Sequence, residues 1–176
     1  STLVALVGAE EQGLLGSKWY AANPTIRPGK IAANLNFDGG NIWGRTRDVT
    51  YIGLGKSSID EVLIPLAAAQ GRVVKPDQFS FARIGVPAMY LDQGTDFIDR
   101  PAGWGEEQVN NWTEVHYHQP SDEYDPSWNF DGMIEDTLLG YRTALAIANA
   151  DRMPTWNEGD EFEAARLEAL AAVAED

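Results

Sequence analysis

The sequence predicts an α/β layered domain with a mostly parallel central sheet, and three observations carry that prediction. Short apolar runs of strand length recur along the chain, bounded by Gly, Pro or Asp. Longer segments of helical character alternate with them, the order expected of strands joined by crossover helices. The first run, Ser-Thr-Leu-Val-Ala-Leu-Val, is continuously apolar from its third residue, as in a strand covered on both faces.

In chain order, that first run reads as a buried strand closed by Gly8. Gly13 to Asn23 has helical character, and Pro24 ends it. Ile31–Phe37 reads as a second buried strand, closed by Asp38-Gly39-Gly40, and Val49–Leu54 as a third. Ser57 or Ser58 caps a helix reaching about Gln70, with Asp60 and Glu61 in its first turn, where the helix dipole favours acids. Val73–Val74 reads as a short strand and Gly85–Leu91 as a longer one with Pro87 near its start. Residues 92–128 read as a long irregular stretch, ordered by Trp104, Trp112, Tyr117, Tyr124 and Trp128. Phe130–Asn149 carries the pattern of a long amphipathic helix, broken at Met153-Pro154. Asp160–Asp176 is a second, Ala- and Glu-rich helix. The division expected is a domain over 1–152 and a C-terminal helical extension over 153–176.

Composition narrows the function. The 176 residues carry 13 Lys and Arg against 27 Asp and Glu, a net charge of −14. No basic stripe exists to displace counterions from nucleic acid or to dock on anionic lipid. No apolar run reaches the ~20 residues of a membrane span. There is no Cys, which removes thiolate metal sites and Cys nucleophiles, and only His116 and His118 offer imidazoles. A metal site in this chain is therefore built mainly from carboxylates.

Three places put acids or His where open α/β sheets collect their sites. Glu10-Glu11 follows the first run. Two adjacent carboxylates point in different directions, so one can bind a metal while the other takes a proton from water. Equally, the pair can sit in the first turn of the next helix for its dipole alone. Asp38 ends the second run before two glycines, as a turn former or as a carboxylate at a catalytic edge. His116 and His118 alternate, so in extended backbone they share a face, and Asp122 is near enough in sequence to orient one of them. Oxygen donors with one imidazole suit zinc, manganese or cobalt.

The order of these segments resembles a known family. Gly8-Ala9-Glu10-Glu11-Gln12-Gly13-Leu14-Leu15-Gly16-Ser17 is similar to the glutamate-pair segment of the zinc-dependent aminopeptidases of metallopeptidase family twenty-eight. Asn34-Leu35-Asn36-Phe37-Asp38 resembles their Asp-ligand strand, and Tyr117-His118-Gln119-Pro120-Ser121-Asp122 their His-ligand motif. Asp77 to Ala88 resembles the substrate-side loop and strand, with Pro76-Asp77-Gln78 where Ser-Asp-His is usual.

The resemblance covers about residues 3–150 and implies a three-layer sandwich of the zinc exopeptidase type. It implies that Glu10 is the general base, that Glu11 and His118 bind one zinc and that Asp38 binds a second. Asp77, Gln78 and Phe81 fall on the substrate side, and the substrate is a peptide. His116 matches no ligand. The family's other His ligand and the Asp bridging its two metals lie upstream of the glutamate pair, and neither has a counterpart in this chain. The expectation is thus a fragment truncated on the N-terminal side that carries half the site, holds zinc weakly and is inactive alone. Its parent would be secreted or periplasmic, a family tendency. Bared sheet surface at the first strand would favour a homodimer. Two other readings stay open: a glutaminyl cyclase, which shares the fold and uses one zinc, and a non-catalytic binding domain.

Overall fold

The computed structural model describes residues 1–77 and 85–174. Among these residues four strands form one mixed sheet: β1 (Asn34–Asn36), β2 (Asp48–Ile52), β3 (Val73–Asp77) and β4 (Ala88–Gln93), in the order β1-β4-β2-β3. β1 runs parallel to β4, with Asn34 opposite Ala88 and Asn36 opposite Tyr90. β2 runs parallel to β3, and β2 and β4 are antiparallel through Val49–Gln93 and Ile52–Tyr90. Two of the three pairings are parallel, and helices lie on both sides of the sheet, so the α/β sandwich expected from the sequence is present.

Among the described residues, five α-helices complete it: α1 (Leu15–Ala22), α2 (Asp60–Ala69), α3 (Trp104–Val115), α4 (Asp131–Ala148) and α5 (Glu163–Ala174). The core joins Val49 and Tyr51 of β2, Met89 and Leu91 of β4, Leu63 and Ala67 of α2, and Leu139 and Ile147 of α4. These positions recur every second residue on the strands and at three- or four-residue multiples on the helices, the periodicities that put them on one face. Pro87 lies just before β4, where its lack of an N–H removes nothing from the ladder, and its carbonyl accepts the Asn34 amide at 2.9 Å.

The sequence reading differs from the structure in four places. The run expected as a first strand belongs to no strand: Leu3, Val4, Leu6 and Val7 are all exposed, Leu6 by 95%. A strand exists only by pairing, and this run makes no ladder; its end is tied to the start of α1 by Gly16 N–H to Gly8 O at 3.0 Å. The run between Ile31 and Phe37 pairs over three residues only. The stretch 92–128 contains α3, whose covered positions Trp104, Gly105, Gln108, Val109 and Trp112 trace one helical face. Neither Ser57 nor Ser58 caps α2: its N-cap is Ile59, and Ser58 Oγ instead accepts the Thr155 amide at 2.9 Å.

The C-terminal segment is joined by polar contacts to the segments that lead into β1 and β4. Trp156 Nε1 donates to Gly85 O at 2.8 Å, and the buried Arg166 of α5 donates to Ile31 O at 2.9 Å and Pro28 O at 3.3 Å.

Candidate functional site

Glu10 and Glu11 lie in a tight turn, not in a helix. The Glu10 carbonyl accepts the amides of Gly13 at 3.0 Å and Leu14 at 2.8 Å, and α1 begins only at Leu15, with no acid in its first turn. The helix-dipole reading of the pair therefore does not hold. Asp38 follows the carboxyl end of β1 by two residues, in a turn that needs Gly39 at φ 72°, and its carbonyl accepts the Tyr90 hydroxyl at 3.1 Å.

His118 reaches the site from a distant part of the chain. The chain arrives by α3, whose last turn is held in a web of edge-to-face rings. Trp112 meets Trp43 at 6.0 Å and Trp128 at 5.6 Å. His116 ends α3, stacks on Trp112 at 4.5 Å, and places Nδ1 3.1 Å from both Ser121 O and Ser121 Oγ. It is thus a structural loop residue. His118, two residues on, adopts φ 60° and stacks against Tyr117 at 3.8 Å. Its Nε2 lies 2.8 Å from Glu11 Oε1. Ala9, beside the Glu pair, also has positive φ, at 56°. Left-handed backbone in non-glycine residues costs about 1–3 kcal/mol each and persists only where its surroundings enforce it, and here it occurs on both arms of the site.

The electrostatics tie the four residues together. Partial desolvation, then the charges of Glu11 and Asp38 and a hydrogen bond with Glu11, hold the Glu10 carboxyl above its usual range, while His118 pulls it down. The Tyr117 phenol is likewise raised, by desolvation and then by Glu11, Asp38 and Glu10. Glu10, Glu11, Asp38 and His118 thus share one neighbourhood, in which Glu11 meets both its chain neighbour Glu10 and, across the turn, His118. Tyr117 joins them as a fifth member. Its place beside His118 in the motif was the one available sign.

The set fits zinc in kind, with an imidazole nitrogen and carboxylate oxygens, but falls short in number. Among the described residues, no group of three or more His, Cys, Asp or Glu lies close enough to hold a metal ion. Of the residues expected on the substrate side, Asp77 ends β3, while Gln78 and Phe81 lie outside the described residues.

No curated protein and no solved structure gives a match to this chain. A family model does, over residues 2–141, a span that takes in the Glu pair, Asp38 and His118 and stops within α4. With that span covering most of the sequence, the chain belongs to peptidase family M28.

Proposed function

We propose that this chain is part of a zinc-dependent aminopeptidase, with Glu10 as its general base. Family membership supports a metallopeptidase-type function, and the family is generally zinc-dependent. The observation that carries the finer reading is the 2.8 Å contact between Glu11 and His118, which joins two motifs from distant parts of the chain beside Glu10. Glu11 and His118 would hold one zinc, and Asp38 a second. Bound there, zinc supplies Lewis acidity toward a peptide carbonyl and acidifies water.

Glu10 takes a proton from the attacking water as the new C–O bond forms, and hands it to the amine that leaves as the C–N bond breaks. Its raised carboxyl suits that exchange better than an ordinary glutamate would. Three neighbouring carboxylates attract the free α-amino group of a peptide, which favours removal of N-terminal residues.

Two contacting donors fall below the three or four protein ligands usual for zinc. The chain alone is therefore expected to bind zinc weakly and to show no peptidase activity. A second reading, the single-zinc glutaminyl cyclase, draws on the one contacting donor pair, Glu11 and His118.

Calorimetric titration of the full chain with zinc tests the site. Weak binding that disappears in His118→Ala and Glu11→Ala supports it; binding indifferent to both removes it. In a reconstituted active protein, release of N-terminal amino acids against cyclisation of an N-terminal Gln separates the two chemistries. A Glu10→Gln variant should lose either by at least about 100-fold.

A further inference from the structure

α4 is apolar on two opposite faces. Leu139, Thr143 and Ile147 are buried inward with Asp136, against the sheet and α2. On the outer side Ile134, Leu138, Tyr141 and Leu145 are each exposed by 43 to 61%. Their spacing of four, three and four residues places them within roughly 60° of one another around the helix axis, opposite the buried stripe. A helix at a protein surface normally turns charged groups to that side, and an apolar seam with this spacing is what helices use to pair with one another.

The charges say what the seam pairs with. The chain carries 27 acids against 13 bases, so most approaches between two copies bring like charges together. From Thr137 through Ala150, however, there is no acid and a single base, Arg142. Consider two copies of α4 laid antiparallel about a two-fold axis between Leu138 and Tyr141. Ile134 then faces the partner's Leu145, and Leu138 faces the partner's Tyr141. The same register carries Arg142 toward the partner's Glu135, a carboxylate that Arg45 of its own copy already holds at 2.6 Å through one oxygen, and the two helix dipoles oppose each other. The seam is complementary to itself in apolar character, and it brings a base toward an acid at its flank.

We propose that the outer face of α4 is the seam of an antiparallel, two-fold homodimer. A contact built on one helix per copy lies at the small end of specific interfaces, so the dissociation constant is expected to be roughly micromolar.

Sedimentation velocity of the full chain across the micromolar range tests this. A reversible monomer–dimer equilibrium is expected. The double variant Leu138→Glu/Tyr141→Glu should weaken it at least tenfold and leave the circular dichroism spectrum unchanged. If that variant does not fold, Arg142→Glu serves instead: it sets an acid against the partner's Glu135 and should weaken association several-fold. Leu6→Glu, in the exposed N-terminal run, should leave the dimer intact. A chain that stays monomeric throughout overturns the proposal. So does a dimer indifferent to the α4 variants, or one abolished by Leu6→Glu, which would move the interface to the N-terminal run.

Discussion

Two charged clusters in this molecule have opposite characters. One joins Asp48, Arg72, Lys75 and Asp136 at the sheet; the other joins Glu10, Glu11, Asp38 and His118 in the surface turns. In the first, the Arg72 side chain is buried and meets Asp136 at 2.6 Å, Asp48 O at 2.7 Å and Thr46 Oγ1 at 3.0 Å. Asp48 overcomes the upward push of its own burial through Lys75 at 2.6 Å and the amides of Asp96 and Thr95, and its carboxyl ends below the usual range. In the second, the Glu11–His118 pair is more than half exposed on both sides, and three acids lie near a single imidazole. The buried cluster matches charge with partners and holds elements together. The exposed one is short of positive charge, which leaves it open to a cation or a substrate amine.

The sharpest way to break this contrast is to remove a central member of each cluster. Arg72→Ala strands the Asp136 carboxylate in the interior and should lower unfolding free energy by about 3–5 kcal/mol, read from urea denaturation. Glu11→Ala removes an exposed pair and should change it by less than about 1 kcal/mol. Equal effects would erase the distinction.

The next effect lies in the support of the exposed cluster. Trp112→Ala removes the ring that meets Trp43, Trp128 and His116, with an expected loss of about 3 kcal/mol. Because the same ring fixes the approach to His118, the variant should also lose whatever zinc binding the chain shows. Zinc binding retained at full strength would mean that His118 is placed without the aromatic web.

Acidity offers a finer comparison. Burial, opposed by Arg72, pushes the Asp136 carboxyl up to about 6, above its unfolded value near 4. The folded state therefore holds this proton more tightly than the unfolded one. Ionised Asp136 weighs against folding above pH 6, and that penalty is relieved as pH falls from about 6 toward 4. Relative to Asp136→Asn, which has no such proton, the wild type should gain about 2 kcal/mol across that window. A constant difference between the two would show that Asp136 stays ionised. The smallest effect is Asp38→Asn, which takes one acid from beside Glu10 and should shift the Glu10 carboxyl titration, followed by NMR, downward.

Legibility in the sequence followed the kind of signal each part offered. α2, α4, β2 and β4 could be read because their apolar residues keep a helical or strand period over enough positions to fix a face. α3 was hidden: Asn110, Asn111 and Thr113 are weak helix formers, and its covered face is made of two tryptophans with Gly105, Gln108 and Val109. The run Leu3–Val7 was over-read because an apolar run specifies a strand's composition but not the neighbour it pairs with. At the site, Glu10, Glu11, Asp38 and His118 stood out by their places at run ends and in the loop, but only motif resemblance gave them roles, since nothing in their spacing predicts the Glu11–His118 contact. The Arg72–Asp136 pair left no sequence sign, because burial of a charge depends on what the whole fold places around it.

The ring web behind His118 has an optical consequence. Trp43, Trp112 and Trp128 lie edge to face at about 6 Å, close enough for their indole transitions to couple. Such coupling gives paired bands of opposite sign in circular dichroism, and excitation can migrate among the three rings before emission. Trp112 also carries the His116 imidazole against its face, so the arm that follows is in contact with one of the coupled rings. The molecule therefore contains its own reporter for the arm that presents His118. Ligand capture or loosening of that arm should each register in the native fluorescence without any added dye.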